Sequence, residues 1–138
     1  MAKLLQLHLL VIFVLVIPGY AQKHTFKGVY TTKASALTVE ITYDESKPQT
    51  MVVYLEDSKD KHTFNVKATK NKYHKGRYDL KWDQNDYDKV MPPFLQRLDE
   101  PYVIAMTIVI FTDDWAEADY YVFSGSKGVP PLKLKRVP

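Results

Sequence analysis

The chain has 138 residues, a formal net charge of +3 and no cysteine. That length carries one domain with a single small core, and the missing cysteine excludes disulfide scaffolds, thiol catalysis and cysteine-ligated metal. The positive charge is small and dispersed, with lysines gathered only mildly at 67–75 and 133–136; the concentrated basic face of a nucleic-acid binder is excluded, and a solvated surface is expected.

Residues 1–21 read as a secretory signal peptide. Lys3 gives a basic start, 4–17 is apolar apart from Gln6 and His8, and Pro18 breaks the run. Gly19-Tyr20-Ala21 places small residues where a signal peptidase reads, which predicts cleavage between Ala21 and Gln22. The apolar run is shorter than the roughly 20 residues that cross a bilayer, and 103–111 is shorter still. The expectation is a secreted, extracellular protein without membrane insertion, folding as a single domain over 22–138. Asn65, Asn71 and Asn85 all lack the Ser/Thr of a glycosylation sequon.

From residue 24 onward, eight short runs alternate apolar and polar residues, the period of strands with one wet face. The first strand is read over 24–32, with Phe26, Gly28 and Tyr30 on one face. The second covers 36–43 (Leu37, Val39, Ile41 and Tyr43 inward), and 44–48 is a turn. The third covers 49–56 (Met51, Val53 and Leu55 inward), followed by a charged turn over 57–61. The fourth covers 62–68, with Phe64 and Val66 inward. A polar stretch over 69–75 leads to Gly76 and a fifth strand with Tyr78, Leu80 and Trp82 inward. Residues 83–101 are the one long connection, where Pro93 at a first helical position predicts a short helical turn over 94–98. The sixth strand, 102–112, is apolar on both faces: Ile104, Met106, Ile108 and Ile110 on one, Val103, Ala105, Val109 and Phe111 on the other. A turn follows, then a seventh strand over 117–124 with Tyr121 and Phe123 inward. After a turn over 125–131, the eighth covers 132–137.

Short links predict antiparallel hairpins. The fold class is therefore all-β: an eight-stranded antiparallel up-and-down barrel, or alternatively an antiparallel β-sandwich. A closed barrel of eight strands is just wide enough to hold one small ligand. On the last strand Leu132, Leu134 and Arg136 share a parity, so Arg136 faces inward if the leucines do and then needs a partner. A closed meander sets the first strand beside the last and brings Tyr30 within reach of that guanidinium. Alternatively, the strand ends at Leu134 and Arg136 is a solvated tail residue.

The order of several short motifs resembles the lipocalins. Phe26-Lys27-Gly28-Val29-Tyr30 stands where that family carries Gly-X-Trp on its first strand, with Tyr30 for the tryptophan. Thr112-Asp113-Asp114, followed by Tyr120-Tyr121, stands where it carries Thr-Asp-Tyr. Leu134-Lys135-Arg136-Val137-Pro138 is similar to its last strand, whose arginine packs over the first-strand tryptophan. Gly76-Arg77-Tyr78 and Glu100-Pro101-Tyr102-Val103 also sit in lipocalin-like positions. The chain departs from the family in lacking disulfides, in its short length and in having no helix after the last strand. The resemblance implies a non-catalytic carrier or sequestering protein for a small hydrophobic molecule. It makes Gly28, Tyr30, Thr112, Asp113 and Arg136 structural closure residues. Val39, Ile41, Tyr43, Val53, Phe64, Val66, Tyr78, Leu80, Trp82, Tyr121 and Phe123 would line the ligand site. The competing reading of that same set is a barrel filled by its own side chains.

Other chemistry is thinner. Asp83, Asp86, Asp88, Asp113, Asp114, Glu117 and Asp119 would offer a calcium site if they met at one end, as in a calcium-assisted sandwich that binds a protein or glycan. Yet 83–88 matches no full calcium loop. His24, His62 and His74 lack the spacing of a zinc site. No nucleophile elbow, HExxH or phosphate-binding glycine loop is present, so no catalytic residue, cofactor or metal is assigned. The alternative function is a secreted interaction module, meeting a protein partner or a second copy through the second apolar face of the sixth strand. Phe94, Leu95 and Leu98 would otherwise cover that face.

Overall fold

A computed structural model describes residues 22–98, 106–124, 127–128 and 131–138. The predicted signal peptide, 1–21, positions 99–105 at the end of the predicted long connection and the start of the sixth predicted strand, and positions 125–126 and 129–130 of the predicted turn over 125–131 lie outside them. The described elements are β1 (Lys23–Thr31), β2 (Ala36–Asp44), β3 (Thr50–Glu56), β4 (Lys61–Lys70), β5 (Arg77–Lys81), helix α1 (Gln84–Leu98), β6 (Met106–Phe111), β7 (Glu117–Ser124), β8 (Lys127–Gly128) and β9 (Leu132–Arg136).

From β1 to β7 each strand pairs antiparallel with the next. β9 then pairs with both β7 and β1. The eight long strands therefore close into an up-and-down barrel, and β8 is a two-residue addition to β7. Each long strand has two partners, which overturns the sandwich alternative and leaves these strands no unpaired edge.

Register follows from the alternation. Val39, Ile41 and Tyr43 stand opposite Leu55, Val53 and Met51, so the apolar parity of each strand meets the apolar parity of the next. Phe26, Ile41, Val53, Leu80, Val109 and Leu134 have no exposed surface at all. Short links hold the hairpins through side-chain caps. Asp57 Oδ1 accepts the amides of Lys59 and Asp60, both at 2.9 Å. Gly28 lies where β1 and β9 come closest: a Cβ there would stand 2.5 Å from the Lys133 carbonyl oxygen and 2.7 Å from Leu134 Cδ2.

The two ends differ. One carries the links 32–35 and 57–60 together with α1; the other carries 45–49, 71–76 and 112–116. α1 is much longer than the predicted turn over 94–98. It starts at Asp83, whose carboxylate accepts the Asp86 amide at 3.1 Å as an N-cap. Pro92 and Pro93 fall inside it rather than at its start. Tyr87, Met91, Phe94 and Leu98 recur at helical spacing, and all four are buried in the barrel's own core cluster. Phe94 and Leu98 thus close a barrel end, which rules out the alternative in which they cover the outer face of β6. On β6 it is Val109 and Phe111 that join the core. Ile108 is buried on the outer face, between its cross-strand neighbours Asp79 and Tyr121.

Candidate functional site

Beneath α1 the barrel interior holds a polar group of atoms in an apolar setting. Trp82, just past β5, donates from Nε1 to Thr107 Oγ1 at 3.2 Å. Thr107 has no exposed surface, because its position on β6 shares the inward parity of Val109 and Phe111. Tyr120 on β7 is also buried and stands beside Thr107. Burial raises its hydroxyl pKa, and the hydrogen bond with Thr107 acts in the opposite direction. Phe64 meets Trp82 edge-on at 5.2 Å, and His62 meets Phe94 of α1 edge-on at 5.9 Å. The helix is tied down at its far end, where Arg97 Nε donates to Asp57 Oδ2 and Nη2 lies 2.9 Å from Asp60 Oδ2. Chemically this end offers hydroxyl and indole groups able to orient one polar atom of an otherwise apolar guest.

The opposite end is plugged by rings. Trp115 stacks on His24 at 4.7 Å, on Phe111 at 4.9 Å and on Tyr43 at 5.6 Å. Tyr43 in turn meets Tyr78 at 5.4 Å. His24 is buried, and its Nε2 lies 2.9 Å from Glu45 Oε1. That hydrogen bond holds the Glu45 carboxyl below its usual pKa. Burial, with the Tyr43 hydroxyl alongside, pushes Tyr78 up to about 12.

The predicted lining set is therefore divided. Phe64 and Trp82 stand at the helix end, and Tyr43 and Tyr78 in the aromatic plug. Val39, Ile41, Val53, Val66 and Leu80 are buried between them in one cluster. Tyr121 is corrected: Ala118 and Tyr120 carry the inward parity of β7, opposite Leu134 and Leu132, so Tyr121 is half-buried on the outer face. The Phe123 side chain lies outside the described set.

Among the predicted closure residues, Gly28 meets β9 as described and Tyr30 packs half-buried against the core. Arg136 does not reach Tyr30. It stands opposite Phe26, four positions away and so roughly 13 Å along β1, and it is exposed. In the turn 112–116 it is Asp114, not Asp113, that works as the cap. Asp114 Oδ1 accepts from Thr112 Oγ1 at 2.7 Å and from the Ala116 amide at 3.1 Å, while Thr112 Oγ1 accepts from the Glu117 amide. Asp113 is exposed, 3.5 Å from Lys75 Nζ.

The acids that would have offered a calcium site by meeting at one end do not meet. Asp83, Asp86 and Asp88 belong to the helix end, and Asp113 and Asp114 to the opposite one. Asp119 pairs with Lys133 at 2.8 Å. Among the described residues no group of three or more His, Asp or Glu is gathered around a common point. Sequence reasoning missed Thr107, Tyr120, Tyr87 and Trp115. Thr107 was legible as the lone polar residue in an apolar strand, and Tyr87 as the first member of the helical repeat that ends at Leu98.

The class defined by this architecture is a closed, all-antiparallel up-and-down β-barrel with one helix across an end. Comparison with known protein families, curated proteins and solved structures returns no match for this chain.

Proposed function

We propose that the protein is secreted and acts as a non-catalytic, lipocalin-like carrier or sequestering protein for a small hydrophobic molecule bearing one polar group. The reading rests on one observation above the rest: an apolar barrel interior that keeps a Trp82–Thr107 hydrogen bond and the Tyr120 hydroxyl beneath a helix. Thr107 satisfies the buried Trp82 indole, and the reading gives the Tyr120 hydroxyl beside it to the guest. Pairing of the first and last strands agrees with the closure that the motif order implies. The guest would occupy the helix end, its polar atom on Tyr120 or Thr107, and would enter past α1. The zero-exposure residues farther down, Phe26, Ile41, Val53, Leu80, Val109 and Leu134, favour a second reading. In that case the interior is filled, and the protein is an interaction module working through its outer surface.

Native mass spectrometry of the protein from its own source separates the two. An added mass of a few hundred daltons, lost on denaturation, is the expected result. Tyr120→Phe keeps the ring and removes the hydroxyl, and should weaken binding of that molecule about tenfold. A bare mass, together with no response to apolar dyes, fatty acids or amines, would overturn the carrier reading in favour of the second.

A further inference from the structure

The turn between β4 and β5, residues 71–76, is firmly built yet leaves its aromatic residue in solvent. Asn71 Oδ1 accepts the amides of Tyr73 at 2.8 Å and His74 at 3.0 Å. The Asn71 amide donates to the Arg77 carbonyl at 2.9 Å. Gly76 takes φ +77°, and its carbonyl accepts the Phe111 amide at 2.9 Å. On this fixed frame Tyr73 is 89% exposed, the most of any large hydrophobic residue among those described. A tyrosine ring ordinarily lays its apolar body against protein, and here nothing covers it.

The turn itself is cationic, with Asp113 and Asp114 on the adjoining turn at the same end. No acidic residue occurs between Asp60 and Asp79. Lys70 ends β4 and Lys72 lies within the turn, and among the described residues neither is held in an ion pair. Lys75 meets Asp113 only at 3.5 Å, with both side chains more than four-fifths exposed. On the outer face Lys67 stands directly opposite Lys81, a like-charge pair that works against the sheet. A convex tip with an uncovered ring amid ammonium groups matches a bilayer interface, where tyrosine rests at headgroup depth and lysines meet anionic lipid. A sulfated polysaccharide would answer the charge but leaves the single projecting ring without a role.

We infer that the β4–β5 turn is a docking site for anionic membrane surfaces, with Tyr73 at headgroup level and the neighbouring lysines on lipid phosphates. The contact is peripheral: no helix of the described residues is long and apolar enough to cross a membrane. It is independent of what the barrel carries.

The test is cosedimentation of the purified protein with vesicles of phosphatidylcholine alone and of phosphatidylcholine mixed with phosphatidylserine. Binding is expected only to the mixed vesicles, and salt should weaken it. The double variant Lys70→Ala, Lys72→Ala should bind about thirtyfold more weakly. Tyr73→Ala should lose several-fold, and both proteins should melt at the wild-type temperature because all three side chains are exposed. No binding to the mixed vesicles overturns the inference, as does binding that both variants leave intact. Lysine-dependent retention on a sulfated polysaccharide, indifferent to Tyr73→Ala and without vesicle binding, would assign the patch to glycans and equally overturn it.

Discussion

Trp115 adopts φ 56°, a left-handed conformation that costs a bulky residue on the order of 1–3 kcal/mol. The compensation is visible in what its ring reaches, since three aromatic side chains stack on or beside it at one end of the barrel. Asp114 makes the conformation possible by capping the turn from within. Gly28 is a simpler case, decided by space alone. The atom 2.5 Å from its missing Cβ is a backbone oxygen of β9, which can yield only if the strand moves. Gly28→Ala should therefore lower stability by about 1–3 kcal/mol, read as a reduced urea midpoint with unchanged slope. A wild-type midpoint would show that the β1–β9 seam is looser than described.

At the scale of elements, α1 is held by burial and by one ionic clamp. Burial of the Asp57 side chain, 2% exposed, acts to raise its carboxyl pKa. The Arg97 guanidinium and the amides of Asp60 and Lys59 outweigh it and hold that pKa below the ordinary value. The folded pKa being the lower, this stabilisation is complete above the unfolded value near pH ~4 and is lost as pH falls through the folded one. Arg97→Ala leaves a buried carboxylate unpaired and should cost about 2 kcal/mol at neutral pH. The difference from wild type should shrink below about pH 4, where Asp57 takes up a proton. Melting temperatures of both proteins across that range check this; because Glu45, Asp44 and Asp114 are also depressed in the wild type, the difference between the two is the informative quantity. A gap that stays constant with pH would mean Arg97 acts by packing on the Phe94 ring, 5.1 Å away.

The same elements show what the sequence discloses and what it hides. β2 and β4 were legible because each keeps a single apolar parity, from Leu37 to Tyr43 and Phe64 to Val66; in β3, Met51, Val53 and Leu55 are buried although Val52 and Tyr54 make the other parity partly apolar too. β7 was not, because Tyr120, Tyr121, Val122 and Phe123 are apolar at both parities, and only pairing with Val109 and Leu132 selects Tyr120 for the interior. α1 was masked by Pro92 and Pro93, which ordinarily start or break a helix. The spacing from Tyr87 to Leu98 carries the contrary signal. Arg136 shows a further limit: it shares the parity of buried Leu134 yet is exposed at the strand's end, and its register, four residues from Tyr30, depends on the whole seam.

On the scale of the molecule, the two tryptophans report from opposite ends. In a Trp115→Phe variant Trp82 is the only indole left, and a guest entering beneath α1 should change its emission. In a Trp82→Phe variant the remaining signal, from Trp115, should stay flat on the same titration. Equal responses from both would place the guest elsewhere. The barrel as a whole closes through its first and last strands, with the Val137 amide donating to the Thr25 carbonyl at 2.8 Å. This joins residues far apart in sequence, which slows folding relative to local hairpins. It also has a consequence for synthesis. Until residues 132–136 emerge, β1 and the lower part of β7 each present a bare row of amides and carbonyls, an adhesive edge for any neighbouring nascent chain. β9, made after the seven other long strands, is thus the one that turns a sticky sheet into a closed barrel.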